Sequence, residues 1–164
     1  MESASALSLN TGPVDPEIEA LDLSEEAKRA AYILKSKHPT VHFTSGRRDK
    51  NAQASAMASN VALNRQWIKE TYVPSEAREA CQRWVDSNPD KRTKEAITAG
   101  LISVFNSLTD AQMARISKHL SGDAFDVQPV VMNAAEIKAT IRGLPGLDKF
   151  LDREGGLERW HAQF

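Results

Sequence analysis

Apolar residues recur at helical spacing through most of this chain and gather into short, strand-like runs in only a few places. After Ser24, which has the character of an N-cap, Ala27, Ala30, Ala31 and Leu34 share one face of a helix that must stop before His38-Pro39. Residues 40–44 are β-branched or aromatic and predict a strand, closed by a turn at Ser45-Gly46. A long helical pattern from about 50 to 72 keeps Ala54, Met57, Ala58, Val61 and Ile68 in phase. Pro74-Ser75 starts another helix, which carries Cys81, Trp84 and Val85 and ends at Asn88-Pro89. From Thr93 onward, Ile97, Leu101, Val104, Phe105 and Leu108 form a clean apolar stripe, and a short helix over 110–116 follows.

Strand character returns over 124–131, largely apolar and so predicted to be buried. Asn133 and Glu136 have the spacing of a capping box for a helix to Ile141. Leu144-Pro145-Gly146 breaks that helix, and a brief helix to Leu151 precedes Gly155-Gly156. Residues 158–164 predict a terminal strand. The sum is an α+β pattern with no βαβ alternation and no internal repeat.

The first 22 residues are polar and broken by Gly12-Pro13 and Asp15-Pro16, so they read as a flexible acidic tail ahead of a single domain over 23–164. Residues 1–26 hold seven acids and no Lys or Arg, leaving the body with 21 basic residues against 15 acids. A mildly basic body suits an anionic partner, but no cluster of basic and aromatic residues marks a nucleic-acid binder. No apolar run approaches a membrane span, and no signal peptide is evident, so the expectation is a chain made in the cytoplasm with no stable membrane insertion. The single cysteine, Cys81, excludes an internal disulfide and any cysteine-rich zinc site. It reads as a small buried hydrophobe.

Any metal must therefore be held by His and carboxylates. The chain has four histidines, His38, His42, His119 and His161. His119 and Asp126 flank the tight segment Leu-Ser-Gly-Asp-Ala-Phe, where Gly122 lets the chain reverse and Ala124 allows close approach. An open catalytic zinc site takes three protein ligands, so a third ligand and a base are required. Glu158-Arg-Trp-His161 offers both, with His161 as ligand and Glu158 as base. On a straight strand an i, i+3 pair points to opposite faces, so this works only if Glu158 sits in the turn that Gly155-Gly156 makes before the strand. Taken singly, either histidine also fits a structural role, and Asp123 reads as a polar turn residue.

Together these residues resemble a known pattern. Ser117-x-His119-x-x-Gly122-x-Ala124-x-Asp126 is similar to the SxHxxGxAxD signature of the zinc D-Ala-D-Ala carboxypeptidase and dipeptidase family, which includes phage endolysins and shares its fold with hedgehog domains. Glu158-x-x-His161 resembles the family's ExxH motif, and Ser45-Gly46-Arg47-Arg48 its SGxR element. The resemblance implies a hedgehog/DD-peptidase-like α+β fold, with a small antiparallel sheet carrying one zinc ion on His119, Asp126 and His161. It implies Glu158 as catalytic base, Arg48 as the arginine that binds substrate and steadies the oxyanion, and Ser117 as a substrate contact. Arg47 is a rival to Arg48, and Gln53 a further candidate for the cleft. The motifs do not account for a helical insertion over about 65–108, whose Trp67, Tyr72 and Trp84 are expected to be mostly core.

The function this implies is a zinc metallopeptidase that hydrolyses stem peptides or cross-links of bacterial peptidoglycan. The expected setting is a monomeric phage endolysin that reaches the wall after holin-type release. A bacterial D-Ala-D-Ala carboxypeptidase, or an antibacterial effector using specialised secretion, is the alternative. A different class, a non-catalytic zinc-stabilised wall-binding module, has no need of a base beside its ligands. A plain helical interaction protein would bind no metal.

Overall fold

The structure is a computed structural model that describes residues 13–164. Its elements are α1 (Pro16–Glu19), α2 (Glu25–Lys37), β1 (Phe43–Ser45), α3 (Lys50–Val61), α4 (Trp67–Thr71), α5 (Glu76–Ser87), α6 (Lys94–Asn106) and α7 (Asp110–Met113). A 3-10 turn (Lys118–Ser121), β2 (Ala124–Val127), α8 (Ala134–Arg142), β3 (Lys149–Glu154) and β4 (Leu157–Gln163) complete them. The fold is α+β: eight helices among the described residues, and a four-stranded antiparallel sheet in the order β1-β2-β4-β3. No described helix is long and apolar enough to cross a membrane.

Two apolar cores lie in the molecule. One sheet face buries Phe43, Phe125, Val127, Trp160, Ala162 and Phe164 against α1, α2 and α8. The second core is helical, built by α3 to α7 around Met57, Val61, Trp67, Ile97, Leu101 and Phe105. Strand alternation keeps Phe125 and Val127 on one face of β2 and sends Asp126 to the other; on β4, Trp160 and Ala162 flank His161 in the same way. The polar face of the sheet is thereby left to the space between it and the helical core.

Residues 13–22 correct the expectation of a flexible tail; residues 1–12 lie outside the described part. Asp15-Pro16 is a helix start and not a breaker: Asp15 caps α1 by accepting from Glu17 N at 2.9 Å, and Pro16 takes the first turn, where no N–H is needed. Ile18 is fully buried, and Glu17 accepts from Lys35 Nζ at 2.7 Å and Phe43 N at 3.0 Å. Ile18→Ala should therefore lower stability by about 2–5 kcal/mol, the range for emptying a buried aliphatic site. A urea melt indistinguishable from wild type would show that this segment is not anchored.

Four other boundaries differ. The pattern over 50–72 is two helices, because the chain turns at Ala62-Leu63 and again at Arg65-Gln66. The strand at 124 ends at Val127, leaving Val131 and Met132 exposed. Asn133 precedes α8 at φ 60 with no side-chain cap bond, so the capping box does not form. The brief helix to Leu151 is absent, and 149–154 is the edge strand β3. Cys81 is buried, and burial pushes its thiol up to about 12, so it is an inert packing residue.

Candidate metal centre

Three strands and a turn place the polar groups. The sheet register pairs Ser45 with Asp126, Asp126 with His161, and His161 with Leu151, so one row crosses all four strands. His119 enters from the 3-10 turn, where its own N–H donates to the capping Ser117 Oγ at 3.1 Å. Gly122 closes that turn at φ +80, a conformation that suits glycine. One ligand atom each from His119, Asp126 and His161 lies within 4.8 Å of the others.

The histidine orientations are fixed from behind. His119 Nδ1 lies 2.8 Å from the Gly46 carbonyl, so Nδ1 carries the proton. Its Nε2 faces Asp126 Oδ1 at 3.2 Å. Gln163 Nε2 donates to Asp148 Oδ2 at 3.0 Å, which turns Gln163 Oε1 toward His161 Nε2 at 2.9 Å. His161 Nδ1 then faces the same Asp126 Oδ1 at 3.0 Å. With these tautomers, two imidazole lone pairs and a carboxylate oxygen converge on one point. A cation satisfies all three at once, and an oxygen-nitrogen donor set of this kind fits zinc.

Electrostatics at the cluster follow from burial and proximity. Burial favours protonated Asp126, but the charge and hydrogen bonds of His119 and His161 outweigh it and hold the carboxyl well below its usual range. Burial lowers the His119 pKa, and Asp126 does not fully offset that. Burial acts on His161 in the same sense, but there the hydrogen bond and charge of Asp126 prevail and the pKa is raised.

A cleft of about 450 Å³ opens over the cluster, walled by the sheet on one side and the helical core on the other. Ser117 lines it. So does Arg48, which donates to Ser45 Oγ at 2.9 Å and Asp126 Oδ2 at 3.0 Å. Arg47 turns away and pairs with Asp22 at 3.0 Å. Gln53 does not line the cleft: it is fully buried behind Arg48, accepting from its guanidinium at 3.3 Å and donating to Tyr72 at 3.3 Å. Trp67 and Tyr72 pack edge-to-face at 5.5 Å and contribute to the wall, whereas Trp84 packs over Gly100 in the helical core.

Glu158 is not brought to the cluster. β4 already begins at Leu157, so Glu158 lies inside the strand on the face opposite His161. It is exposed and accepts from Trp160 Nε1 at 3.3 Å on its own face. Glu154 stands in the cleft instead; among the described residues, it and Asp126 are the only side-chain carboxylates that line it. The signal for it was an irregularity that sequence does not announce. Pairing passes from Leu151↔His161 to Arg153↔Glu158, two residues along β3 for three along β4, and Leu151 and Glu154 both line the cleft. Burial raises the Glu154 pKa and Asp126 adds to it, against the opposing pull of His161, Arg48 and Arg159.

Five cations line the same cleft, Arg48, Arg115, Lys118, Lys149 and Arg159. Lys118 donates to the Phe164 carbonyl at 2.9 Å and Arg159 to Asn60 Oδ1 at 2.8 Å, while the side chains of Arg115 and Lys149 meet no acid among the described residues. No family model, curated protein or solved structure matches this chain.

Proposed function

We propose that this chain is a zinc-dependent peptidase that hydrolyses peptide bonds in bacterial peptidoglycan, most similar in kind to a phage endolysin peptidase. The observation that carries the reading is the convergence of two imidazole nitrogens on one Asp126 oxygen, with both tautomers set from behind, on the wall of an open cleft. His119, Asp126 and His161 would hold the zinc, which when bound would supply a Lewis acid and lower the pKa of a water in the site to about 7.

The remaining roles belong to the protein. Arg48 pairs with Asp126 and holds a guanidinium at the cleft wall, where it can meet negative charge developing on a carbonyl oxygen. Ser117 offers its hydroxyl at the same wall. With five cations against two carboxylates, the cleft favours an anionic ligand, and stem peptides carry free carboxylates. The resemblance of the SxHxxGxAxD-type segment supports peptidoglycan among anionic peptides, and with it action at the cell wall.

Digestion of purified peptidoglycan tests this. The zinc-loaded protein should release soluble muropeptides with new termini, detected by mass spectrometry. A chelator should stop the release and added zinc should restore it. A pure protein that takes up no zinc would remove the basis of the proposal.

A further inference from the structure

The hydrolytic reading needs a group that moves a proton, and the glutamate of the ExxH-type motif faces away from the cleft. Glu154 is the carboxylate that fits. It lies on the cleft wall with Asp126, His161 and Arg48. Asp126 is committed to both histidines and to Arg48. The Glu154 carboxylate makes no hydrogen bond or ion pair with any described residue, while its backbone carbonyl accepts from Trp67 Nε1 at 3.0 Å.

Its position is built rather than incidental. The tip of the β3–β4 hairpin is clamped by the helical core from two sides. Trp67 holds the Glu154 carbonyl, and Asn64 Nδ2 donates to the Gly155 carbonyl at 3.1 Å. Gly155, at φ +57, lies so close to the indole that a Cβ there would fall 2.1 Å from Trp67 Cδ1. Beside it Thr71 lines the cleft, and its Oγ1 is the one buried side-chain polar atom without a partner among the described residues. A buried hydroxyl left unpaired costs stability unless something in the cleft completes it. The corner thus presents an unpaired carboxylate to the cleft, with a buried, unpaired hydroxyl beside the hairpin tip.

We propose that Glu154 is the proton-transferring carboxylate of this site. This rests on the hydrolytic reading above. A water oxygen bonds to the scissile carbonyl carbon while one of its protons passes to Glu154. The carbon–nitrogen bond then breaks as Glu154 gives that proton to the leaving nitrogen, which departs as the amine. The second proton of the water stays with the new carboxyl group.

Glu154→Gln keeps the size of the side chain and removes its basicity. This variant should hydrolyse peptidoglycan about 10²–10⁴-fold more slowly, the usual contribution of a positioned acid-base group. It should still bind one zinc per chain, with affinity within about threefold of wild type by chelator competition, as a residue outside the ligand set should. Glu158→Gln should retain the wild-type rate and the wild-type zinc affinity. A Glu154→Gln protein that hydrolyses as fast as wild type overturns the assignment alone. One that loses zinc more than tenfold also overturns it, by marking Glu154 as a ligand. A wild-type protein that binds zinc and releases no new termini overturns the hydrolytic reading, and the assignment falls with it. Unchanged thermal melting of both variants separates these results from misfolding.

Discussion

Replacing His161 with Ala is expected to abolish stoichiometric zinc binding. His161 is one of three converging groups, and it sits on a strand whose partner supplies another. Losing an outer hydrogen-bond partner costs about 10–100-fold in metal affinity, so losing a ligand should exceed 100-fold. Metal analysis of the purified variant, with chelator competition on wild type, reads this directly. The same experiment carries a pH signature. A proton on His161 competes with the cation, and the His161 pKa is raised by Asp126. Zinc affinity should therefore fall as pH drops through that raised value and level off above it. Equal affinity in the His161→Ala protein would remove His161 from the centre, and with it the reason for the Asp126↔His161 register.

The convergence of the three candidate ligands could be read from sequence because each position depends on short-range rules. A turn after His119 with glycine at its left-handed position, and period-2 alternation on β2 and β4, bring polar residues to one face. Arg48 over Arg47 is a matter of which side chain the turn aims at the sheet, and only the packed structure separates them. Glu158 faces the cluster only from within the turn, but Gly155 and Gly156 alone, both at positive φ, complete the hairpin. The strand therefore starts one residue too early for Glu158 to face His119, Asp126 and His161.

Other features were illegible for physical reasons. β3 is an edge strand with Lys149, Asp152 and Arg153 along it, so it lacks the apolar alternation that identifies a half-buried strand. Glu154 depends on a register irregularity between β3 and β4, which is a tertiary property. α1 is held by one fully buried side chain, Ile18, within an acidic run, so composition hides its anchor. Gln53 has the right distance in sequence from Arg48 to reach the cleft, yet the helix turns it inward, where it supports Arg48 from behind.

Gly46→Ala is expected to weaken zinc binding by about 10–100-fold although Gly46 contributes no ligand. A Cβ at this position would fall 2.4 Å from the Leu21 carbonyl oxygen and 2.6 Å from Leu21 Cβ, contacts that no real side chain makes. The backbone must move, and this backbone is tied to the centre on both sides. Arg47 N donates to Leu21 O at 2.8 Å, Arg48 N donates to His119 O at 2.9 Å, and the Gly46 carbonyl accepts from His119 Nδ1 at 2.8 Å. Displacing it releases the proton-bearing side of the His119 ring, so the nitrogen that faces Asp126 is no longer held in place. Overpacking of this kind also costs about 1–3 kcal/mol in stability. Gly143→Ala is the control, since a Cβ there meets only ordinary contacts at 3.7 Å, and its zinc affinity should match wild type. Zinc titrations and urea melts of the two variants decide the matter. If Gly46→Ala binds zinc as tightly as Gly143→Ala, the orientation of His119 does not depend on the Gly46 carbonyl, and the tautomer argument for the centre loses one of its two supports.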